Sequence, residues 1–136
     1  MKNLTSNFLA KTGALVYLLW GLLHIVAAIK VFQLGETLEP SMVQARIFQN
    51  AWNLLFFALF GSVVAIFLNW KNSRLGYWLN LVVVSAGDIG FIIFVLEPGY
   101  IPYMPGLLGP LLWIVALNLT TLGLFVFNDK TTKSQE

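Results

Sequence analysis

Four long apolar stretches constrain the fold of this 136-residue chain more than any other feature of its sequence. They cover residues 12–29, 49–69, 75–96 and 106–127, and none of them contains Lys, Arg or Glu. A helix needs about 20 apolar residues to cross the hydrocarbon of a bilayer. The sequence therefore predicts an all-α integral membrane protein, a four-helix bundle with antiparallel neighbours that forms one domain over residues 1–136.

The composition argues against the alternative of a soluble bundle of four buried helices. Charged residues make up 10% of the chain, whereas a soluble domain carries about 25%. The net charge of +2 includes no block of like charges, so we expect no nucleic-acid partner. The chain has no cysteine, and one His with one Asp falls short of the ligand set of a catalytic zinc, so we expect neither a metal nor another cofactor.

The distribution of Lys and Arg predicts the orientation. With four spans, both termini and the second linker share one side of the membrane. That side carries six basic residues and the opposite side carries two, Lys30 and Arg46. Because basic residues favour the cytoplasmic side, we expect both termini in the cytoplasm and the chain in a plasma or inner membrane. The six are Lys2, Lys11, Lys71, Arg74, Lys130 and Lys133.

The connections between the spans carry their own predictions. The first helix should begin near residues 9–13, and the polar linker 30–39 should be loosely ordered. Pro40 is predicted as the first residue of a second helix that runs on through residue 69. The linker 97–106 contains three prolines and should form a rigid cap over the outer mouth of the bundle.

Two ionisable side chains fall inside the spans, His24 and Asp88. A charge at the centre of a bilayer costs on the order of 3 kcal/mol or more, so such residues usually face the bundle interior or a wet cavity. His24 can donate or accept a proton near neutral pH. With the predicted orientation, both residues lie in the outer half of the membrane, together with Gln49, Asn50 and Asn53.

This clustering predicts a polar pocket with aromatic walls beneath the proline-rich linker. Pockets with apolar walls and a few convergent polar groups are typical small-molecule sites. We expect His24 and Asp88 to exchange protons there. The expected ligand-binding residues are Tyr17, Trp20, Arg46, Gln49, Asn50, Trp52, Asn53, Phe56, Phe91, Tyr103 and Trp113.

The favoured function is a membrane-embedded binding site, or an acid–base enzyme, for a lipophilic small molecule. Two alternatives remain open. The chain could be an accessory or scaffold subunit whose polar residues join helices, or a small proton-coupled transporter that uses Asp88. No motif selects a reaction, and the sequence leaves open whether the chain is an enzyme. The bilayer is the expected environment, and a homo-oligomer stays open.

Overall fold

The computed structural model describes residues 4–126, which form helices and connections without any strand. Helix α1 spans Leu4–Glu36, and helix α2 spans Met42–Phe67. A 3₁₀ turn at Asn69–Lys71 follows α2.

Helix α3 spans Arg74–Phe91 and continues as a π-helix over Ile92–Leu96. The short helix α4, Tyr103–Gly106, leads into α5, Leu108–Thr121, which ends in the π-helical segment Leu122–Val126. The predicted fourth span, residues 106–127, corresponds to α5 with its π-helical end, and only its first residue, Gly106, belongs to α4. Residue 127 of that span lies outside the described residues.

Four helices in the described part of the chain are long and apolar enough to cross a membrane. They are α1, α2 with its 3₁₀ turn, α3 with its π-helical end, and α5 as far as Phe125. The predicted all-helical architecture with four candidate membrane spans is thus confirmed by the length and composition of the helices.

The predicted limits of the first helix are wrong at both ends. Helix α1 begins at Leu4 and not near residues 9–13, and it includes Lys30–Glu36, which we expected to be loosely ordered. Packing explains the extension at the far end. The Phe32 ring lies 4.9 Å from the Phe48 ring, and a Cβ on Gly35 would lie only 2.6 Å from Phe48. Contacts with α2 therefore hold these turns helical despite their polar residues.

The α1–α2 connection is held by side chains that satisfy helix ends. Helix α2 begins at Met42 and not at Pro40, and Ser41 is its N-cap: the Ser41 hydroxyl accepts the Gln44 backbone N–H at 3.2 Å. The Gln44 side-chain amide donates to the carbonyls of Gly35 at 3.1 Å and Leu38 at 2.8 Å. The Gly35 carbonyl also accepts the Leu38 backbone N–H at 3.2 Å. The Gln44 side chain thus ties the end of α1 and the connection to the first turn of α2.

The α2–α3 connection contains Asn72, whose backbone φ of 54° lies in the left-handed region. Asparagine tolerates this conformation better than most residues. Its side-chain amide donates to the Ser6 hydroxyl at 2.9 Å and to the Gly123 carbonyl at 3.1 Å. The Ser6 hydroxyl in turn donates to the Gly123 carbonyl at 2.7 Å. This cluster joins α1, the α2–α3 connection and the end of α5.

Helix α1 packs against α2 and α5, and α3 packs against the same two helices. Small residues permit the close approaches, as they do in membrane helix bundles. A Cβ on Gly13 would lie 2.7 Å from Thr120 of α5, and a Cβ on Gly21 would collide with the Ser62 hydroxyl of α2. The buried core lies between the four helices and consists of Ala14, Tyr17, Trp20, Ala65, Val84 and Ala116.

Candidate functional site

The site centres on a hydrogen bond between α1 and α3. The Trp20 indole Nε1 donates to the Asp88 Oδ2 atom at 2.7 Å. Trp20 is 1% exposed and Asp88 is fully buried. Both side chains are buried, and the indole is the donor that satisfies one oxygen of the carboxyl group.

His24 lies one helical turn after Trp20 and completes the group. Its ring stacks on the indole with centroids 3.9 Å apart. Its Nδ1 atom lies 2.9 Å from the Trp20 carbonyl oxygen, and its Nε2 atom lies 3.6 Å from Asp88 Oδ1. The second distance suits an ion pair but is too long for a good hydrogen bond. Asp88 Oδ1 accordingly has no hydrogen-bond partner.

The hydrogen bonds determine where protons can lie in this pair. A carbonyl oxygen only accepts, so His24 Nδ1 carries a hydrogen. If the ring is neutral, its Nε2 presents a lone pair towards Asp88, and an ionised carboxylate would then repel it. One proton, placed either on His24 Nε2 or on Asp88 Oδ1, would remove this repulsion. In both arrangements the pair has no net charge, which suits its burial.

The first turn of α5 closes the site. A Cβ on Gly109 would lie 3.0 Å from His24 Cε1 and 3.4 Å from Asp88 Oδ1. Gly109 and Pro110 are both buried. Gly109 belongs to the first turn of α5, so the positive end of the helix dipole lies beside the Asp88 carboxyl group. No side chain caps this end of α5. The histidine side chain, 14% exposed, is the member of the pair that reaches the surface.

A second set of buried polar groups lies further along the same seam. The Asn80 amide donates to the Gly61 carbonyl at 3.2 Å, whereas its Oδ1 atom and the Tyr17 hydroxyl have no hydrogen-bond partner. Val84 lies between Asn80 and Asp88 on the buried face of α3. This apolar residue separates the two sets along the helix.

The structure brings together only some of the predicted site residues. Tyr17 and Trp20 are buried with Asp88, and Trp113 is partly buried, with its indole donating to the Ser85 hydroxyl at 3.0 Å. Phe91 is partly buried.

The other predicted ligand residues are exposed in the described part of the chain. Arg46 Nη1 donates to Gln49 Oε1 at 2.7 Å, a bond within α2. The exposed residues are Arg46, Gln49, Asn50, Trp52, Asn53, Phe56 and Tyr103. The reason is that α2 buries its small residues, Ala51, Ala58 and Gly61, and turns its amides outward.

Sequence reasoning missed two groups in the site. Gly109 packs against the His24–Asp88 pair, and Ser85 accepts the Trp113 indole N–H. Neither Gly109 nor Ser85 carried a signal of its own in the sequence. Both contacts depend on where α5 crosses α3, which no local pattern predicts.

A separate cavity of about 350 Å³ lies between α1 and α2. All eight of its lining residues are apolar: Ile25, Ala28, Ile29, Phe32, Phe48, Ala51, Trp52 and Leu55. We call it the α1–α2 groove.

No protein-family model, curated protein or solved structure shows significant similarity to this chain. The class of protein consequently follows from the chain itself. Its four candidate spans are consistent with a multi-pass membrane protein, and a buried Trp–Asp–His group lies in its interior.

Proposed function

We propose that this chain is a membrane-embedded binding site for a lipophilic small molecule, in which the His24–Asp88 pair supplies or accepts a proton. The observation that carries the proposal is Asp88 Oδ1, a fully buried oxygen without a hydrogen-bond partner that faces His24 Nε2 at 3.6 Å. Buried polar atoms that lack partners are rare and often mark functional sites.

The proposal includes the orientation predicted from the basic residues. Four antiparallel spans with both termini in the cytoplasm place His24 and Asp88 in the outer half of the membrane. The ligand then arrives from the lipid phase or from the outer face. His24, as the partly exposed member, is the group that it meets first.

The chemistry follows from the single shared proton. With the proton on His24, Asp88 Oδ1 accepts a hydrogen bond from a ligand hydroxyl or amine. With the proton on Asp88, the carboxyl group donates to a ligand carbonyl. Moving one proton between two adjacent atoms thus adapts the pair to either kind of ligand group, and it provides the donor and acceptor of acid–base catalysis.

The variant Asp88→Asn tests the proposal because it preserves the structure of the site. The new amide oxygen accepts from Trp20, and the amide nitrogen donates to the lone pair of His24 Nε2. The hydrogen bond from Trp20 is kept, and the shared proton is lost. The matched variant Asp88→Leu removes the acceptor altogether and leaves the buried indole N–H without a partner.

The measurement is the amount of lipophilic compound that co-extracts with each purified variant, quantified by mass spectrometry beside thermal unfolding in detergent. We expect Asp88→Asn to unfold near the wild-type temperature with its bound compound depleted. If Asp88→Asn keeps both its stability and its bound compound, the proton-exchanging site is refuted.

A structural role is the second candidate, and the Trp20–Asp88 bond favours it. This bond joins α1 to α3 in a dry interior, and Gly109 packs tightly over it. An accessory or scaffold subunit needs such interhelical bonds. In that case Asp88→Asn behaves as wild type in every assay, whereas Asp88→Leu loses stability.

A further inference from the structure

The two ends of the bundle carry charge of opposite sign. The start of α1, the α2–α3 connection and the end of α5 form one end, which we call the basic end. Its described residues include Lys11, Lys71 and Arg74 and no acidic residue, so their formal charge is +3. The opposite end has two basic residues, Lys30 and Arg46, and three glutamates, which together give −1. The glutamates are Glu36, Glu39 and Glu97.

The sequence outside the described residues does not reverse this sign. Lys2 precedes α1, and residues 127–136 contain two lysines, Asp129 and Glu136. Three lysines and two acidic residues have a formal charge of +1. The chain segments at this end are therefore basic in total.

The spacing of two lysines on α1 places Lys11 at the depth of the lipid head groups. Lys11 and Lys30 are 19 residues apart on this helix, which corresponds to about 29 Å at ~1.5 Å per residue. The hydrocarbon of a bilayer is roughly 30 Å thick. When α1 spans a bilayer, the two lysines therefore lie at its two borders.

An aromatic ring holds the Lys11 ammonium group at this depth. Its Nζ atom lies 5.6 Å from the centre of the Trp70 ring, within the range of about 6 Å for cation–π contacts. Trp70 is 41% exposed, and tryptophan is enriched at membrane–water interfaces. Arg74, at the start of α3, follows four residues later, a chain length of at most roughly 14 Å. The contact thus brings Lys11 to the connection that leads to Arg74.

No carboxylate neutralises Lys11 or Arg74 within residues 4–126. Both side chains are exposed, and the described part of the basic end has no acidic residue with which either could pair. Their positive charges therefore face the surroundings of the bundle, where they attract anions.

The surface of α1 beside Lys11 favours a lipid over a soluble anion. Leu15, Leu19 and Leu22 follow Lys11 on the same face of the helix. They are 49%, 53% and 61% exposed. A phospholipid offers a phosphate to the ammonium group and an acyl chain to these leucines. A soluble phosphate offers only the first of these contacts.

We propose that the basic end binds the phosphate of an anionic phospholipid, with Lys11 and Arg74 as its cationic partners. A zwitterionic lipid carries its own cation in the head group, so the basic residues prefer a lipid with net negative charge. Because the opposite end is net negative, the preference is confined to one leaflet. This surface is separate from the His24–Asp88 pair, and the inference does not depend on the proposed function.

The test measures how phosphatidylglycerol raises the melting temperature of the purified full chain in an uncharged maltoside detergent. A ligand that binds only the folded protein stabilises it in proportion to the logarithm of its saturation, so the titration gives an apparent Kd. We expect a saturable rise that added salt weakens. Phosphatidylcholine with the same acyl chains should bind about tenfold more weakly or worse.

Substitutions at the two ends separate the basic end from the charge of the whole chain. Lys11→Gln and Arg74→Gln should each weaken phosphatidylglycerol binding about fivefold, which is equivalent to about 1 kcal/mol per basic residue near the head groups. Lys11→Arg keeps the charge and should bind as wild type does. Lys30→Gln and Arg46→Gln remove exposed basic residues from the other end and are the matched controls, which should bind normally.

Equal binding of the two lipids overturns the inference, and so does equal weakening by the substitutions at both ends. If glycerol phosphate without acyl chains competes as strongly as phosphatidylglycerol, the site binds a soluble anion and the lipid assignment is refuted. If Lys11→Arg binds as weakly as Lys11→Gln, the charge of Lys11 is not the attracting group and its assigned role fails.

Discussion

Replacing Trp20 by phenylalanine should destabilise the bundle more than the same substitution at Trp113 or Trp52. The phenyl ring keeps an aromatic surface against His24 but has no N–H group. Asp88, which is fully buried, then loses the indole donor 2.7 Å from its Oδ2 atom. Its Oδ1 atom already lacks a partner, so neither carboxyl oxygen would have a hydrogen bond.

The magnitude follows from two contributions. Loss of a hydrogen bond to Asp88 in its ionised form lowers the free energy of unfolding by about 1.5–3 kcal/mol. The smaller ring leaves a cavity of roughly 40 Å³, which at ~24 cal/mol per Å³ adds about 1 kcal/mol. We therefore expect Trp20→Phe to lower the free energy of unfolding by about 2.5–4 kcal/mol.

Two other tryptophans provide graded controls for the same substitution. Trp113 donates to the neutral Ser85 hydroxyl at 3.0 Å, and loss of a neutral bond costs about 0.5–1.5 kcal/mol before any cavity contribution. Trp52 is 69% exposed, so Trp52→Phe should change stability by less than about 0.5 kcal/mol. The predicted order of destabilisation is Trp20 first, Trp113 second and Trp52 last.

The assay is reversible unfolding of each variant in mixed micelles at increasing SDS fraction, followed by circular dichroism. Equal losses for Trp20→Phe and Trp113→Phe would mean that the carboxyl group is no stronger an acceptor than a hydroxyl. A loss below about 0.5 kcal/mol for Trp20→Phe would refute the buried bond itself, because a removed donor must leave a penalty.

Three further predictions concern packing, the α2–α3 connection and orientation. Gly109→Ala should lower the free energy of unfolding by about 1–3 kcal/mol through overpacking. Gly90→Ala, where a Cβ meets nothing within 4 Å, should be neutral or stabilising in the same assay. Asn72→Gly keeps the left-handed backbone and loses only side-chain bonds, so it should unfold at a higher temperature than Asn72→Ala; the reverse order would show that the φ of 54° is unimportant. In intact cells, a membrane-impermeant maleimide should label Thr37→Cys and not Lys71→Cys, and the opposite result would invert the proposed topology.

Polar and small residues on one stripe of α1, namely Gly13, Tyr17, Trp20, His24 and Ala28, predict its interior face. Gly13, Tyr17, Trp20 and Ala28 all lie buried on that face. Asp88 was placed in the interior because an unpaired carboxyl group is unfavourable in hydrocarbon. The structure buries it completely. When exposure of a side chain to hydrocarbon carries a large energetic penalty, that one residue is enough to predict which face of its helix is buried.

The interior face of α2 was predicted wrongly, and the physical reason is instructive. We assumed that Gln49 and Asn53 turn inward because they are polar. The helix instead buries Ala51 and Ala58, since close packing of helices favours small side chains. The α2 candidate span has 30 residues, which exceeds the hydrocarbon thickness, so its first turns need not lie in lipid. The amides then remain exposed at little penalty.

The last prediction concerns the tautomer of His24, the only histidine of the chain, and it follows from the hydrogen bonds of the site. In Asp88→Asn the indole N–H of Trp20 accepts nothing, so the amide must present its oxygen to Trp20. Its nitrogen then faces His24 Nε2, which must act as an acceptor.

His24 in this variant should accordingly be neutral and carry its hydrogen on Nδ1, bonded to the Trp20 carbonyl at 2.9 Å. Nitrogen-15 NMR of protein with labelled histidine measures this directly, because a single ring contributes and the protonated nitrogen shows a one-bond coupling to hydrogen. A hydrogen on Nε2 would mean that the amide or the ring is reversed. The inference that His24 and Asp88 share one proton would then fail, because it depends on the same Nδ1 bond.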